Sequence, residues 1–263
     1  MIRVFPRRTK WTPTDALAFV GDPPLFRPPV QPVAVSVTFV DDINEGLRLQ
    51  KAWSAHYPDV EVGGPAFGDP GHRFIPGRFL KPGVTITSRG CPARCPWCFV
   101  PQREGGIREY PIQDGYILQD NNILACSDGH VARVFEMLRR QKRGIVFSGG
   151  IDTARLRWHH LDLFRSVRVS EIWVACDTNG DLPALSRAAE ILKEFPTRKK
   201  RCYAMVGFDG EHIIDASERM KKILDMGFLP FCQLYQGPTK RYYSREWRAL
   251  AKKWARPAAY RST

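Results

Sequence analysis

From residue 83 onward the chain alternates apolar, β-prone runs with amphipathic stretches, and no other feature limits its fold so tightly. The runs are VTITS (84–88), NILAC (122–126), GIVFSGG (144–150), EIWVAC (171–176), CYAMVGF (202–208) and FLPFCQLY (228–235). Helical stretches fall between them at 128–142, 155–167, 182–195 and 210–227; the first carries Val131, Val134, Phe135 and Leu138 on one face. Such alternation predicts parallel strands joined by right-handed crossovers. The expected class is α/β, with residues 83–236 forming a partial (β/α)6 barrel. Only the crossover 99–119, FVPQREGGIREYPIQDGYILQ, lacks a helical period, and it is expected to be a long ordered loop.

Two flanking segments differ from this frame. Residues 1–32 are proline-rich (GDPPLFRPPVQP) and predict an extended chain with little regular structure. VAVSVTF (33–39), NEGLRLQKAWSAHY (44–57) and DVEVGG (59–64) then read as one strand–helix–strand unit. Residues 1–82 are therefore expected to form a short N-terminal β-α-β extension, reaching the first long strand through a Pro/Gly-rich connector. At the other end, 237–263 is a basic tail in which Trp247, Leu250 and Trp254 stand at helical spacing.

The stretch SRGCPARCPWCFVP (88–101) packs Cys91, Cys95 and Cys98 into a C-x3-C-x2-C spacing, while the other four cysteines are scattered singly. Seven thiols without paired spacing do not make a secreted disulfide framework and suit a reducing compartment. Because the trio follows the first parallel strand, it is expected at the C-terminal end of the sheet, where such folds bind ligands. Three thiolates can hold three irons of a [4Fe–4S] cluster and leave the fourth iron open. The alternative is a structural zinc or cluster site with a distant fourth ligand such as Cys126.

The trio, the aromatic Trp97 before the third cysteine and the six-strand frame together resemble the radical SAM superfamily, over residues 83–236. The resemblance implies that the open iron binds the amino and carboxylate groups of S-adenosylmethionine (SAM). A low-potential electron donor would then drive cleavage to methionine and a 5′-deoxyadenosyl radical that takes hydrogen from substrate. It also implies cofactor contacts. Trp97 and Phe99 lie in the cysteine loop, and FSGGID supplies Ser148, Gly149, Gly150 and an acidic residue, Asp152. VACDT supplies Asp177, and AMVGFDGE supplies Val206 and Gly207. The N-terminal unit is similar to the end of the domain that precedes cobalamin-dependent members. Its D-x-H-x-x-G signature is absent, since His56 sits in WSAHYPD and His72 in DPGHRF, so cobalamin is not expected.

Cys126 and Cys176 are read as ending the second and fourth strands, and Cys126 and Asp177 are the candidates for a chemical role at the open end. Cys202 and Cys232 are expected in the core. His159 and His160 lie in a crossover helix, away from the strand ends.

The formal net charge of +13 admits anionic partners. Within it, RRQKR (139–143) and RKKR (198–201) precede strands and are expected as solvated faces opposite the site. Lys240 and Arg241 leave the last strand at the catalytic mouth and, with Tyr242, Tyr243 and Trp247, suit phosphate and base contact. A nucleotide or nucleic-acid substrate is the expectation this favours; a capping helix explains the same residues. No apolar run approaches the ~20 residues of a membrane span, and MIRVFPRRTKWTP lacks the apolar core of a leader, so a cytoplasmic protein without membrane contact is expected. The alternative function is a non-catalytic iron–sulfur or zinc protein that binds nucleic acid.

Overall fold

In a computed structural model, described for residues 1–68, 74–237 and 241–257, the chain is mixed α/β and built on parallel sheets. The first sheet contains β1 (Ile2–Phe5), β2 (Ala18–Val20), β3 (Val33–Ser36) and β4 (Val60–Gly63), in the order β2-β1-β3-β4 and parallel throughout. Helix α1 (Ile43–Ser54) covers it, with Leu49 and Trp53 one turn apart and fully buried against Ile2, Val4, Val33, Val35 and Val37. Gly46 allows this approach, because a β-carbon there would stand 2.4 Å from Val37 Cγ2.

The expectation of an irregular segment 1–32 before a lone β-α-β unit is thus corrected. All four residues of β1 are buried, and β1 lies between β2 and β3. Pro6 directly follows β1 and Pro32 directly precedes β3 without preventing either, since each strand spans only four residues.

Next come β5 (Val84–Thr85), β6 (Ser88–Arg89), α2 (Val100–Glu104), β7 (Arg108–Glu109), β8 (Ile117–Leu118), α3 (Asp128–Arg139), β9 (Ile145–Ile151) and α4 (Trp158–Arg165). β10 (Val169–Ala175), α5 (Leu182–Ile191), β11 (Lys200–Val206), α6 (Ile213–Asp225), β12 (Leu229–Leu234) and α7 (Arg245–Trp254) complete the chain. Strands β5, β8, β9, β10, β11 and β12 pair in sequential order in one six-stranded parallel sheet. Its helices share one core with it, including Phe135, Phe147 and Phe164 with ring centroids 5.1–5.5 Å apart.

Two expected strands change. VTITS divides: Val84–Thr85 joins the large sheet, and Ser88–Arg89 pairs antiparallel with Arg108–Glu109 in a two-stranded ribbon. NILAC is not a strand. The second strand is Ile117–Leu118, and Ile123–Ala125 forms a single 3₁₀ turn that leads to Cys126. The crossover 99–119 is accordingly not all loop, because it contains α2 and β7.

Helix α7 starts at Ser244, whose Oγ accepts from Trp247 N, and it buries Trp254 in the main core with Trp247 and Leu250 beside it. The capping-helix reading therefore accounts for its tryptophans. The RKKR run is not wholly solvated, since Lys200 is buried with its Nζ 5.2 Å from the Phe228 ring centroid. No helix among the described residues is long and apolar enough to cross a membrane.

Candidate functional site

The cysteine loop leaves β6 and is fixed to the turn after β8 by buried side chains. Asp120 Oδ1 accepts from Thr87 N at 2.8 Å, and its Oδ2 accepts from Thr87 Oγ1 at 2.7 Å and Ser88 Oγ at 2.6 Å. Burial pushes the Asp120 carboxyl up, against the lowering effect of these donors. One residue on, Asn121 Oδ1 accepts from Gly90 N at 3.0 Å. Asn122 donates from Nδ2 both to Cys91 Sγ, at 3.5 Å, and to Asp152 Oδ2, at 2.9 Å. The buried Asn122 therefore joins the first cysteine to the acidic residue that follows the glycine pair.

Cys91, Cys95 and Cys98 are free thiols, each part-buried. A tight turn brings Cys98 N to Cys95 O at 3.0 Å. Burial pushes the Cys95 thiol up to about 11, helped by Cys98 and Cys91, and burial likewise raises Cys98. Three soft thiol donors on one loop, one of them receiving an amide N–H, suit an iron–sulfur cluster or zinc. Among the described residues no three His, Cys, Asp or Glu side chains are gathered closely enough to hold a metal ion, so ligation here requires the cysteine side chains to draw together.

Trp97 carries this loop across to the fourth and fifth strands of the sheet. Its Nε1 donates to Asp177 Oδ2 at 3.1 Å, and Asp177 Oδ1 accepts from Met205 N at 2.9 Å. The Trp97 ring also meets Phe208 edge-on at 5.3 Å. Burial raises the Asp177 pKa, opposed by the Met205 and Trp97 donors. Phe99, in contrast, is exposed and caps the start of α2.

The glycine pair closing β9 has two distinct reasons. A β-carbon on Gly149 would lie 2.0 Å from Asp120 O, so adjoining backbone excludes a side chain there. Gly150 has φ of 103° and open space where a β-carbon would point, so here the backbone conformation selects glycine and its side faces free volume. Ser148 Oγ donates to Leu118 O at 3.2 Å and accepts from Gln119 Nε2 at 2.9 Å. Asp152 is part of a local turn, accepting from Ala154 N at 2.9 Å and pairing with Arg155 at 3.3 Å.

At the end of β11 the backbone is already engaged. Val206 O accepts from Tyr235 N at 2.9 Å, and Gly207 N donates to Glu211 Oε2 at 2.8 Å. Gly207 O accepts from Tyr243 Oη at 3.3 Å, and a β-carbon on Gly207 would stand 2.6 Å from the Tyr243 ring. Arg241 lies over the Tyr235 ring at 4.7 Å and also reaches Gly207 O; Lys240 falls outside the described residues.

Cys126 packs in the core, where burial raises its thiol to about 11, and Cys176 is fully buried and raised to about 12. Cys202 and Cys232 are core residues. His159 and His160 face each other, Nε2 to Nε2 at 3.1 Å, at the start of α4.

The structure thus joins Cys91 to Asp152 through Asn122 and, separately, Trp97 to Asp177 and Met205, while Asp120 holds the start of the cysteine loop; Asn122, Asp120 and Met205 were not singled out by the sequence. The signal for Asn122 was the polar triplet DNN after YILQ, masked when NILAC was read as the strand. No known family model matches the chain, and no curated protein matches it.

Proposed function

We propose that this chain is a radical SAM enzyme whose six-stranded sheet curves as a partial (β/α)6 barrel. The observation that carries the reading is the Asn122 bridge. It joins a thiol of the C-x3-C-x2-C loop to the acidic end of FSGGID, at the edge of a parallel sheet where ligands bind.

In this proposal Cys91, Cys95 and Cys98 hold three irons of one [4Fe–4S] cluster. When bound, the cluster and SAM supply one-electron cleavage to methionine and 5′-deoxyadenosine, with hydrogen taken from substrate. The chain's own residues provide placement. Asn122 N–H stabilises the Cys91 thiolate. The open side of Gly150 lets backbone lie against the methionine end. Asp177 holds the Trp97 indole, and with it the cysteine loop, against the fourth and fifth strands. An adenine contact at Val206–Gly207 requires Tyr243 to swing off Gly207.

The substrate belongs to the nucleotide or nucleic-acid class that the basic exit segment suits. A low-potential donor supplies the electron, the reaction runs in the cytoplasm, and cobalamin takes no part.

The test is anaerobic reconstitution with iron and sulfide, reduction in the presence of SAM, and mass spectrometry for 5′-deoxyadenosine. Wild-type protein is expected to form it and Cys95→Ala to form none. Stoichiometric zinc without iron–sulfur absorption, and no 5′-deoxyadenosine, would overturn the proposal in favour of a structural metal protein.

A further inference from the structure

The ribbon that launches the cysteine loop carries positive charge that the protein does not neutralise. Arg89 on β6 and Arg108 on β7 are direct cross-strand partners, so their side chains leave the same face. Like charges in that relation repel, and here they do so in part-buried surroundings where water screens them poorly. The Glu104 carboxylate reaches Arg89 and is shared: Oε1 accepts from Arg103, while Oε2 stands 3.9 Å from Arg89 Nε without a hydrogen bond; among the described residues Arg108 has no ion pair. Glu109, next to Arg108, points to the opposite face and accepts from Ser127 N. Asp120, whose field reaches Arg89, is occupied by Thr87 and Ser88.

Arg103 and Arg89 therefore share one carboxylate while Arg108 has only a backbone oxygen, and the donors show it. Arg108 uses NH1 on Glu104 O, but its Nε and NH2 have no partner and are shielded from solvent, as is Arg89 Nε. Nε and NH2 form the side of the guanidinium that clasps two oxygens of a carboxylate or phosphate at once. Buried donors left unpaired in this way are costly, so a bound group is the simplest reason for the fold to keep them. These donors are closed to solvent, so an anion that uses them must displace the groups that cover them.

We propose that Arg108, aided by Arg89, is an oxyanion-binding site that takes a phosphate or carboxylate group of the substrate. The substrate assignment rests on the radical SAM reading, since Arg89 lies two residues before Cys91 and so brings that group beside the cluster loop. The anion site itself does not. Arg241 is a weaker candidate for the same task, as its guanidinium already lies on Tyr235 and Gly207 O.

The test uses full-length protein without a cluster, so that its outcome is independent of iron chemistry. Inorganic phosphate and acetate are titrated separately at constant ionic strength, with chloride as the balancing ion, and binding is read from the thermal midpoint. Saturable stabilisation by one of them beyond chloride is expected, and the ion that acts identifies the substrate's group as phosphate or carboxylate. Arg108→Lys keeps the charge and a bond to Glu104 O but loses the two-pronged edge, and it should weaken apparent affinity at least tenfold. Arg89→Lys gives an independent variant with the same expected direction, and Arg165→Lys, at an exposed site paired with Glu194 and Asp162, should respond as wild type. No stabilisation by either ion, or wild-type affinity in both Arg108→Lys and Arg89→Lys, would overturn the proposal.

Discussion

The two sides of the strand rim are held in opposite ways. Beside β5 and β8, side chains do the holding: Asp120 gathers Thr87 and Ser88, Asn121 takes Gly90 N, and Asn122 reaches a thiol. Beside β11 and β12, the backbone is saturated. Met205 N and O, Val206 O, and Gly207 N and O all have partners, and the buried Arg219 with Glu211 supplies two of them. Among the described residues, free capacity is concentrated on the first side, in the thiols, Asn122 Oδ1 and the Arg108 edge, with Arg219 Nε as an exception on the second. A rim with one sealed and one unsatisfied side is a rim that recognises ligand chiefly from the unsatisfied side.

The sealed side can be broken most severely. Arg219 is 1% exposed, pairs with Glu211 and donates to Met205 O at 2.7 Å. Arg219→Met leaves the part-buried Glu211 carboxylate without its counter-charge, held only by the Gly207 amide, and should cost about 3 kcal/mol in urea unfolding. A loss below about 1 kcal/mol would mean that this side is held by Tyr243 and its neighbours instead.

On the unsatisfied side, Asp120→Ala strands three donors at once and should cost about 3 kcal/mol. It should also release the cysteine loop, seen as faster amide exchange at Cys91 and Gly90, while the Gly207 amide is unchanged. Equal exchange on both sides would dissolve the distinction.

The smallest effects belong to the link between the sides. Trp97→Phe removes one hydrogen bond to Asp177 and should cost about 1 kcal/mol. Burial raises the folded Asp177 pKa, so the stability linked to this group is fully present below the unfolded carboxylate pKa of about 4 and is lost as pH rises through the folded value. Asp177→Asn removes that loss, so its stability relative to wild type should improve as pH increases. Parallel stability profiles would show that the carboxyl is hydrated.

Local patterns were legible in the sequence and pairings across the chain were not. The four long strands and the helices after them follow from apolar periodicity within single segments, and the cysteine trio from its spacing. The second strand was misplaced because ILAC is more apolar than the two residues, Ile117–Leu118, that pair with β5 and β9. That shift hid Asn122 inside an apparent strand. β1 escaped because four residues, IRVF, ahead of a proline-rich stretch give no periodic signal, although Ile2 and Val4 fill a core completed by Trp53. Lys200 was read by its charge, whereas it is buried with its ammonium over the Phe228 ring. The Trp97–Asp177 bond joins residues 80 apart, and Arg89 faces Arg108 only once the ribbon forms.

The central claim is that three cysteines, and no others, hold the metal centre. The direct measurement is iron and sulfide content with visible absorption after anaerobic reconstitution, for Cys91→Ala, Cys95→Ala, Cys98→Ala and, as the core control, Cys126→Ala. Wild type and Cys126→Ala should carry about four irons per chain, and each of the other three should lose the absorption. Loss of the cluster in Cys126→Ala as well, in protein that remains folded, would make Cys126 a fourth ligand, close the open iron and contradict the account.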